Sequence, residues 1–494
     1  MNSQVLEKAR QYEQIGEGRI REEARPLFHL AARTGWMNDP NGFSFYKGNY
    51  HLFYQYHPYD SHWGPMHWGH GVTKDLIHWE YLPAAMAPDM PYDRDGCFSG
   101  SAVELDDGRQ LLMYTGVVKE VQPDGSKREI QTQCIAVGDG LNYEKYGENP
   151  VLTRTDLPEG GSPFDFRDPR IWREGDGTFR CVAGNCTDDK DGRILEYRSS
   201  DGIHWSFERI LAENRGRFGK MWECPDLFHL DGKQVLLVSP QDMLARDLEY
   251  DNGNGTLCLI GHLDPDTGCL VEESNQAIDY GIDFYAPQTV LAPDGRRIMV
   301  GWMQNWDTSK VRYREHLWFG QMTLPRELSL KNGRLFQQPV REIEGLRRDK
   351  TEYRQVLVEG EISLDGISGR TVDMELTLWP EDREEGYHRF AVRFARDQWF
   401  YSEVSFRPRE SVVKIDRKYS GSPLAILQQR RCRVASRNGE LKLRIILDRF
   451  SAEIFINDGE QVMTMTIDTD LTAEGISFLA DGRTVMDVAK YSLG

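Results

Sequence analysis

The sequence lacks a long apolar segment and a basic cluster, and each absence excludes a class of protein. No run of residues approaches the length of a membrane span, and residues 1–26 contain no apolar stretch long enough for the core of a signal peptide. The chain of 494 residues carries 60 Lys and Arg against 78 Asp and Glu, a formal net charge of −18. Because nucleic acids and anionic membranes bind basic surfaces, we expect neither as a partner.

The sequence also lacks CxxC motifs and an evident metal-binding cluster. The eight cysteines include no CxxC pair. In a large chain without an export signal this pattern is typical of free thiols, and we expect a cytoplasmic protein. HWGH at 67–70 brings two histidines together without an evident third ligand, so we expect no metal site, and nothing indicates another cofactor.

Helical periodicity is confined to the N-terminus. Val5, Leu6, Ala9 and Tyr12 are spaced as in one short surface helix. After residue 25, short apolar runs between Gly, Asp and Pro predominate, which is typical of β-strands.

A unit of roughly 60 residues is repeated five times in the first two thirds of the chain. Each copy has a strand, a turn ending in glycine and a strongly apolar strand; the turn glycines are Gly48, Gly108, Gly177, Gly232 and Gly295. A second pattern has the same period: DLIHWEYL from 75, DGLNYEKY from 139 and DGIHWSFE from 201. Four short strands of this length make one propeller blade, so we predict a five-bladed β-propeller.

The repeat stops near residue 336, and a different pattern follows. From about residue 352 the chain alternates polar and apolar residues, as in LKLRIILDRFSAEIFIND, which favours an antiparallel β-sandwich. We therefore predict an all-β protein with four parts: an N-terminal helical extension (1–26), a catalytic propeller (27–336), a linker (337–351) and a C-terminal β-sandwich (352–494).

The repeat supplies an internal alignment that points to a site. The residues nine positions before the turn glycines are Asp39, Ser99, Asp168, Glu223 and Ala286. If these strands are the innermost of their blades, the five side chains surround one funnel mouth. A single acid at a strand start more often caps the strand or faces solvent. Three converging carboxylates raise at least one pKa, as acid–base cleavage of a glycosidic bond requires.

The flanking residues suggest a division of labour. Glu223 lies in the apolar sequence MWECPDLF, which favours its protonated form and a role as proton donor. Asp39 lies in GWMNDPNG, whose amides would stabilise an ionised nucleophile. Asp168 follows Arg167, so it is expected to stay ionised and to accept hydrogen bonds from sugar hydroxyls.

Aromatic and amide side chains complete the predicted site. Rings near the strand starts offer apolar faces to sugar C–H groups, although each ring alone is more often part of a core. These are Trp36, Trp63, Trp68, Phe98, Trp222, Tyr285 and Trp302. Gln55 in FYQYH could bind two hydroxyls, or it could be a satisfied core amide.

At these residues the sequence resembles glycoside hydrolase family 32, the β-fructofuranosidases. WMNDPNG at 36–42, FRDPR at 166–170 and WECPDLF at 222–228 are similar to the family's three catalytic motifs. FSGSA at 98–102 and WGPMHWGH at 63–70 also match. EIFINDGE at 453–460 resembles a strand of the family's C-terminal sandwich, so the likeness runs from about residue 27 to the end.

The resemblance implies a retaining hydrolase with a covalent fructosyl-enzyme on Asp39. It also implies that Glu223 is the acid/base, and that Trp302 forms a wall of the site. The residues that would hold the terminal fructose are Asn38, Gln55, Trp63, Phe98, Ser99, Arg167 and Asp168. The expected partner is a small sugar: sucrose, sucrose 6-phosphate or a short fructan. The sandwich would serve assembly, as in a homo-oligomer, or sugar docking.

Several readings stay open at this stage. The same three acids would serve an exo-acting hydrolase of fructans or fructo-oligosaccharides, or an enzyme that transfers fructose to another sugar. An inverting five-bladed glycosidase of arabinose polymers also uses two Asp and one Glu, with acid and base further apart. The last alternative is a non-catalytic propeller that binds sugar. The three acids argue against it, because a binding protein has no need to hold them close together.

Overall fold

The computed structural model describes residues 3–309, 317–421, 427–436 and 438–494. Within these ranges the protein has one α-helix, α1 (Gln4–Glu17), and 31 β-strands. The single helix is too short to cross a membrane, and none of the described helices is a candidate span.

Helix α1 begins at an N-cap serine and packs on the first blade. The Ser3 Oγ accepts a hydrogen bond of 3.1 Å from the backbone N–H of Leu6, which satisfies one of the free donors of the first turn. Leu6 and Ala9 are buried, whereas Val5 and Tyr12 are 39% and 40% exposed. The predicted helix is present, but its buried face contains only two of the four expected residues.

Five four-stranded antiparallel sheets follow. The first two sheets consist of β1 (Gly35–Tyr46), β2 (Asn49–His57), β3 (His67–Thr73) and β4 (Glu80–Met86), then β5 (Gly96–Glu104), β6 (Gln110–Val121), β7 (Lys127–Gly138) and β8 (Tyr143–Lys145). The third and fourth consist of β9 (Gly161–Arg173), β10 (Phe179–Thr187), β11 (Gly192–Ser199) and β12 (Ser206–Glu213), then β13 (Trp222–Leu230), β14 (Lys233–Pro240), β15 (Leu257–Leu263) and β16 (Leu270–Gln276). The fifth consists of β17 (Tyr285–Leu291), β18 (Arg297–Trp302), β20 (Arg326–Lys331) and β21 (Arg334–Pro339).

The five sheets close into a ring through their first strands. Strand β1 contacts β5, β5 contacts β9, β9 contacts β13, β13 contacts β17, and β17 contacts β1 again. The short strand β19 (Trp318–Phe319) lies between β18 and β20 in the chain but joins the first sheet, where it pairs in parallel with β1 and ties the last blade to the first. The predicted five-bladed propeller, with the first strand of each repeat innermost, is confirmed.

The C-terminal part is an antiparallel β-sandwich, as predicted. Its first five strands are β22 (Arg347–Ile362), β23 (Val372–Pro380), β24 (Tyr387–Arg396), β25 (Ser402–Arg407) and β26 (Val412–Asp416). The others are β27 (Gln429–Arg433), β28 (Leu441–Asp448), β29 (Ser451–Ile456), β30 (Gln461–Thr466) and β31 (Gly475–Leu493). The two layers are continuous because the first half of β31 pairs with β24 and its second half with β23.

The sandwich is fixed to the propeller by buried ion pairs. His29, which precedes β1, lies 2.7 Å from Asp448 and 2.9 Å from Glu453 of the sandwich. Arg326 at the start of β20 reaches Glu453 at 2.6 Å and Asp279 at 2.9 Å. All five side chains are at most 1% exposed in these pairs, so none of the charges is stabilised by water.

Candidate active site

The first strands of the blades start around one cavity of about 430 Å³. Its walls combine acids, amides and aromatic rings, which is the composition expected of a site for a polar ligand. The lining residues are Asn38, Asp39, Gln55, Trp63, Phe98, Ser99, Glu129, Gln131, Phe164, Asp165, Arg167, Asp168, Glu223, Gln241, Asn254 and Trp306.

Each innermost strand has a bulge or an irregularity of pairing at the cavity, which explains how acids point inward from otherwise regular strands. In β9, β13 and β17 the irregularity contains a residue with positive φ followed by proline: Asp168 at 63°, Cys224 at 50° and Ala286 at 50°. A bulge interrupts the alternation of side chains and re-aims them, and bulges are frequent beside active sites.

The pairing register corrects the internal alignment at two positions. Glu223 was expected at the position equivalent to Asp39 and Asp168. The bulges instead align Asp168 of β9 with Cys224 of β13 and with Asn38 of β1, so Glu223 corresponds to Arg167, and Asp39 lies one residue beyond the position of Asp168. The count from the turn glycine fails because the turn after β9 (174–178) is longer than the turn after β13 (231–232), and because β1 contains a second irregularity before its turn.

Asp39 is buried and hydrogen-bonded on one side. Its Oδ2 accepts a hydrogen bond of 2.9 Å from the Ser99 hydroxyl and lies 3.7 Å from the Cys224 Sγ. Its Oδ1 accepts no hydrogen bond from the described parts of the chain. Burial and the negative charge of Glu223 raise the pKa of Asp39 to about 6, against the opposing hydrogen bonds of Asn38, Ser99 and Cys224.

Asp168 is held in place by hydrogen bonds at its backbone and at its carboxylate. Its backbone N–H donates to the Thr115 hydroxyl at 2.9 Å, and its Oδ2 accepts a hydrogen bond of 2.9 Å from the backbone N–H of Cys224. Burial raises the pKa of Asp168 to about 7; the positive charge of Arg167 opposes this shift and the negative charge of Glu223 adds to it.

Glu223 does not have the apolar surroundings expected from its sequence neighbours. Its Oε1 accepts a hydrogen bond of 3.0 Å from the Arg167 Nε, and its Oε2 lies 2.6 Å from the Tyr285 hydroxyl. Trp222 points the other way, into the core, where its indole N–H donates to the Phe218 carbonyl. Neighbours in sequence lie on opposite faces of a strand, so MWECPDLF does not describe what surrounds the carboxylate.

Arg167 connects Glu223 to a wall that the sequence reasoning missed. Its Nη1 donates to the Gln131 Oε1 at 3.3 Å and to the Asp165 Oδ1 at 3.4 Å. Burial lowers the pKa of Arg167, but the surrounding acids, Glu223 first, more than offset this, so its pKa is raised.

Most of the predicted sugar-binding residues line the cavity. The Gln55 amide donates to the Cys97 carbonyl at 3.0 Å, which fixes the amide beside Asp39. The rings of Trp63 and Phe98 pack edge to face, with their centroids 6.1 Å apart, and form one wall of the cavity. Together with Asn38, Ser99, Arg167 and Asp168, they are brought to one place by the ring of blades.

Trp302 is the exception. It is completely buried and does not line the cavity; Trp306 lies against it at 5.0 Å and provides the wall instead. Trp302 ends β18 and faces the core beneath the site, whereas Trp306 lies in the loop that follows.

Seven lining residues were absent from the sequence prediction. They are Glu129, Gln131, Phe164, Asp165, Gln241, Asn254 and Trp306. Phe164 and Asp165 directly precede the FRDPR motif, which was a usable signal. Glu129 and Gln131 lie on β7, the third strand of its blade, and nothing local in the sequence indicates that this strand reaches the cavity.

Comparison with known proteins gives a consistent result. Residues 29–339 match the model of the glycosyl hydrolases family 32 N-terminal domain, and residues 342–493 match that of the family's C-terminal domain. A sucrose-6-phosphate hydrolase of Escherichia coli is 40% identical over 90% of this chain and 89% of its own length. A raffinose invertase of the same organism is 38% identical over 92% of each chain. The solved β-fructofuranosidase of Bombyx mori superposes with a TM-score of 0.85 at 34% identity, covering 100% of this chain and 99% of that one.

Proposed function

We propose that this chain, which belongs to glycoside hydrolase family 32, releases terminal β-D-fructofuranosyl units from sucrose or sucrose 6-phosphate through a covalent fructosyl-enzyme. Its relatives and its fold make it a glycosidase with fructofuranosidase function. One observation carries the proposed mechanism: Asp39, Asp168 and Glu223 reach one cavity from three different blades, each in different surroundings.

In the first step Asp39 is the nucleophile. Its carboxylate lines the cavity, and the hydrogen bond from Ser99 to Oδ2 holds it toward the anomeric carbon. A bond forms between a carboxylate oxygen of Asp39 and this carbon as the bond to the leaving sugar breaks. Glu223 gives its proton to the leaving oxygen and becomes a carboxylate, which Arg167 and Tyr285 stabilise.

In the second step Glu223 acts as a base. It removes a proton from a water molecule, whose oxygen attacks the anomeric carbon and releases Asp39 as a carboxylate. Tyr285 can accommodate both forms of Glu223 because its oxygen also lies 3.1 Å from the Ser239 carbonyl. It donates to ionised Glu223, or it accepts from protonated Glu223 and donates to the carbonyl. Burial raises the pKa of Tyr285 well above 10, so its hydroxyl keeps its proton.

Asp168 has a different role because its position is fixed by backbone groups. The oxygen not bonded to the Cys224 N–H can accept hydrogen bonds from sugar hydroxyls, and these strengthen as positive charge develops on the fructosyl ring. Asn38, Gln55, Trp63, Phe98, Ser99 and Arg167 complete the proposed fructose subsite.

The proposed substrates are inferred from two relatives, which are named sucrose-6-phosphate hydrolase and raffinose invertase. A solved complex of a variant of the Bombyx mori enzyme contains sucrose. An exo-acting fructan hydrolase is the second candidate, since a levanase of Bacillus subtilis is 33% identical over 93% of this chain.

The mechanism is tested with two variants and two substrates. Asp39→Ala should abolish turnover of both sucrose and an activated aryl fructoside. Glu223→Ala should lose sucrose turnover but keep much of its activity on the aryl fructoside, whose leaving group needs no proton. Equal losses on both substrates would contradict the role of Glu223. Proton NMR of the first product should show retention of configuration, and inversion would instead favour the mechanism of the inverting glycosidases.

The pH profile provides a separate check. Asp39 must be ionised to attack, and its pKa is raised to about 6. Asp168, whose pKa is raised to about 7, must also be ionised to accept hydrogen bonds, so kcat/KM should fall as the pH is lowered from about 7 through about 6. A flat profile down to about pH 4 would contradict an Asp39 nucleophile with this pKa.

We also propose a cytoplasmic location. All eight cysteines are free thiols, six of them buried, as is usual in a reducing compartment. Fractionation of the source cells would test it.

A further inference from the structure

We propose that the cavity selects a neutral leaving sugar, with Glu129 as the residue that favours sucrose over sucrose 6-phosphate. The inference rests on the proposed function, and it narrows the substrate class of the same site.

The position of the leaving sugar follows from the proton donor. Glu223 protonates the leaving oxygen in the proposed mechanism, so the leaving sugar lies on its side of the cavity. Arg167 bridges Glu223 to Gln131 and Asp165 on that side. Glu129 is two residues from Gln131 on β7, so both side chains project from the same face of the strand, and both line the cavity.

The residues that line this wall include more acids than bases. Glu129 and Asp165 line the cavity, and among its described lining residues Arg167 is the only Lys or Arg. Its Nε and Nη1 are already engaged by Glu223, Gln131 and Asp165. A phosphate dianion placed here would meet two carboxylates without an available arginine fork, which is how proteins commonly bind phosphate.

Three exposed cations lie near this wall without lining the cavity: Lys119, Lys190 and Arg128, whose guanidinium lies 4.9 Å from the centroid of the Phe164 ring. Lys119 lies 3.6 Å from Glu129, and Lys190 lies 2.5 Å from Asp165. Neither lysine lines the cavity, and their side chains are 44% and 54% exposed, so water and salt screen them more than the carboxylates they face.

The cavity also provides hydrogen-bond partners for the hydroxyls of an uncharged sugar. Carboxylates accept hydrogen bonds from hydroxyl groups, and the amides of Gln241 and Asn254 provide both donors and acceptors. The rings of Phe164 and Trp306 add apolar faces. These groups bind a hexose without requiring a charge on it.

The test compares sucrose and sucrose 6-phosphate at two salt concentrations. We expect the wild-type protein to have a kcat/KM at least about tenfold higher on sucrose at low salt, because the carboxylates repel the dianion. Raising NaCl from about 0.01 M to about 1 M shortens the screening length from about 30 Å to about 3 Å, so kcat/KM on sucrose 6-phosphate should rise relative to sucrose.

Two variants of one hairpin distinguish the effect of a charge that lines the cavity from the effect of net charge on the preference for sucrose. Glu129→Gln should reduce the preference for sucrose by roughly tenfold, chiefly by improving sucrose 6-phosphate. Glu120→Gln is the matched control: Glu120 is exposed on β6 of the same hairpin, opposite Arg128, and does not line the cavity. It removes the same charge and should leave the ratio unchanged.

The outcomes distinguish this inference from the proposed function. Equal or faster turnover of sucrose 6-phosphate by the wild-type protein at low salt would overturn the inference and leave the fructofuranosidase function intact. Equal effects of the two variants would also overturn it, because the selection would then depend on net charge. Inactivity on sucrose, sucrose 6-phosphate and kestose together would refute the proposed function itself.

Discussion

His29 offers a prediction that can be worked out from its two contacts. Its Nδ1 lies 2.7 Å from the Asp448 carboxylate, and its Nε2 lies 2.9 Å from the Glu453 carboxylate. The ring can donate to both only when it carries two protons and a positive charge. Burial lowers the pKa of His29, but these hydrogen bonds and charges more than offset burial and raise the pKa to about 9.

The size of the effect follows from linkage. A rise from 6.5 to about 9 stabilises the folded protein by about 3 kcal/mol, at about 1.4 kcal/mol for each pH unit. Because the folded pKa is the higher one, this contribution is fully present below pH 6.5 and is lost as the pH rises through about 9. The pKa values of Asp448 and Glu453 are lowered, so their own contributions are lost only on the acid side.

The perturbation is His29→Gln, which removes the charge and can donate from only one end. Urea unfolding followed by tryptophan fluorescence would be measured for both proteins at about pH 6, about pH 7.5 and about pH 9.5. The wild type should be more stable at the lowest pH, and its advantage should shrink by about 3 kcal/mol toward the highest pH. The difference in unfolding free energy between the two proteins cancels the titration of groups that both contain, such as Glu13, whose pKa is raised by burial to about 7.

The control is His204→Gln. His204 forms a similar pair with Asp201 at 2.7 Å, but the side chain is 77% exposed, so its loss should not change the unfolding midpoint at any pH. A stability difference between wild type and His29→Gln that stays constant over the whole pH range would refute the reasoning, because His29 would then not change its charge on folding.

Four further substitutions test the site and the interface. Trp306→Ala should raise KM for sucrose by about tenfold with a smaller change in kcat, because the ring lines the cavity, whereas Trp302→Ala should lower the free energy of unfolding by about 3–5 kcal/mol. If Trp302→Ala instead changed only KM, its assignment to the core would be wrong. Arg326→Met leaves buried carboxylates unpaired and should cost about 3–5 kcal/mol in urea unfolding. Tyr285→Phe should lower kcat by roughly tenfold or more at similar KM in steady-state assays, since it removes the hydrogen bond to Glu223; a change in KM alone would contradict this role.

The repeat predicted the propeller well because it is a local property repeated along the chain. A strand, a DG or KG turn and a second apolar strand form the same hairpin in each copy, and five such units bury their faces only by closing a ring. Asp39 and Asp168 then meet because equivalent strands lie at equivalent radius. The alternating pattern after residue 352 predicted the sandwich for the same reason. The exact domain boundaries and the roles of the site residues stay predictions.

Counting residues back from the turn glycines, and judging a side chain by its sequence neighbours, gave wrong predictions where the backbone is irregular. Different turn lengths after β9 and β13 shifted the alignment of Glu223 by one residue. Trp222 beside Glu223 faces the core, and the hydrogen bonds to the Glu223 carboxylate come from Arg167 and Tyr285 on other blades. Trp302 was expected as a wall because sequence position does not reveal on which face of a strand end a ring lies.

The sequence by itself therefore determined the architecture, the family and the convergence of the acids, since each depends on short patterns repeated or conserved in spacing within one chain. Only the tertiary structure decided what surrounds each charge. His29 and Glu453 are 424 positions apart, and Glu129 reaches the cavity from a third strand. Electrostatic interactions depend on distance and burial in space, and a linear sequence contains neither.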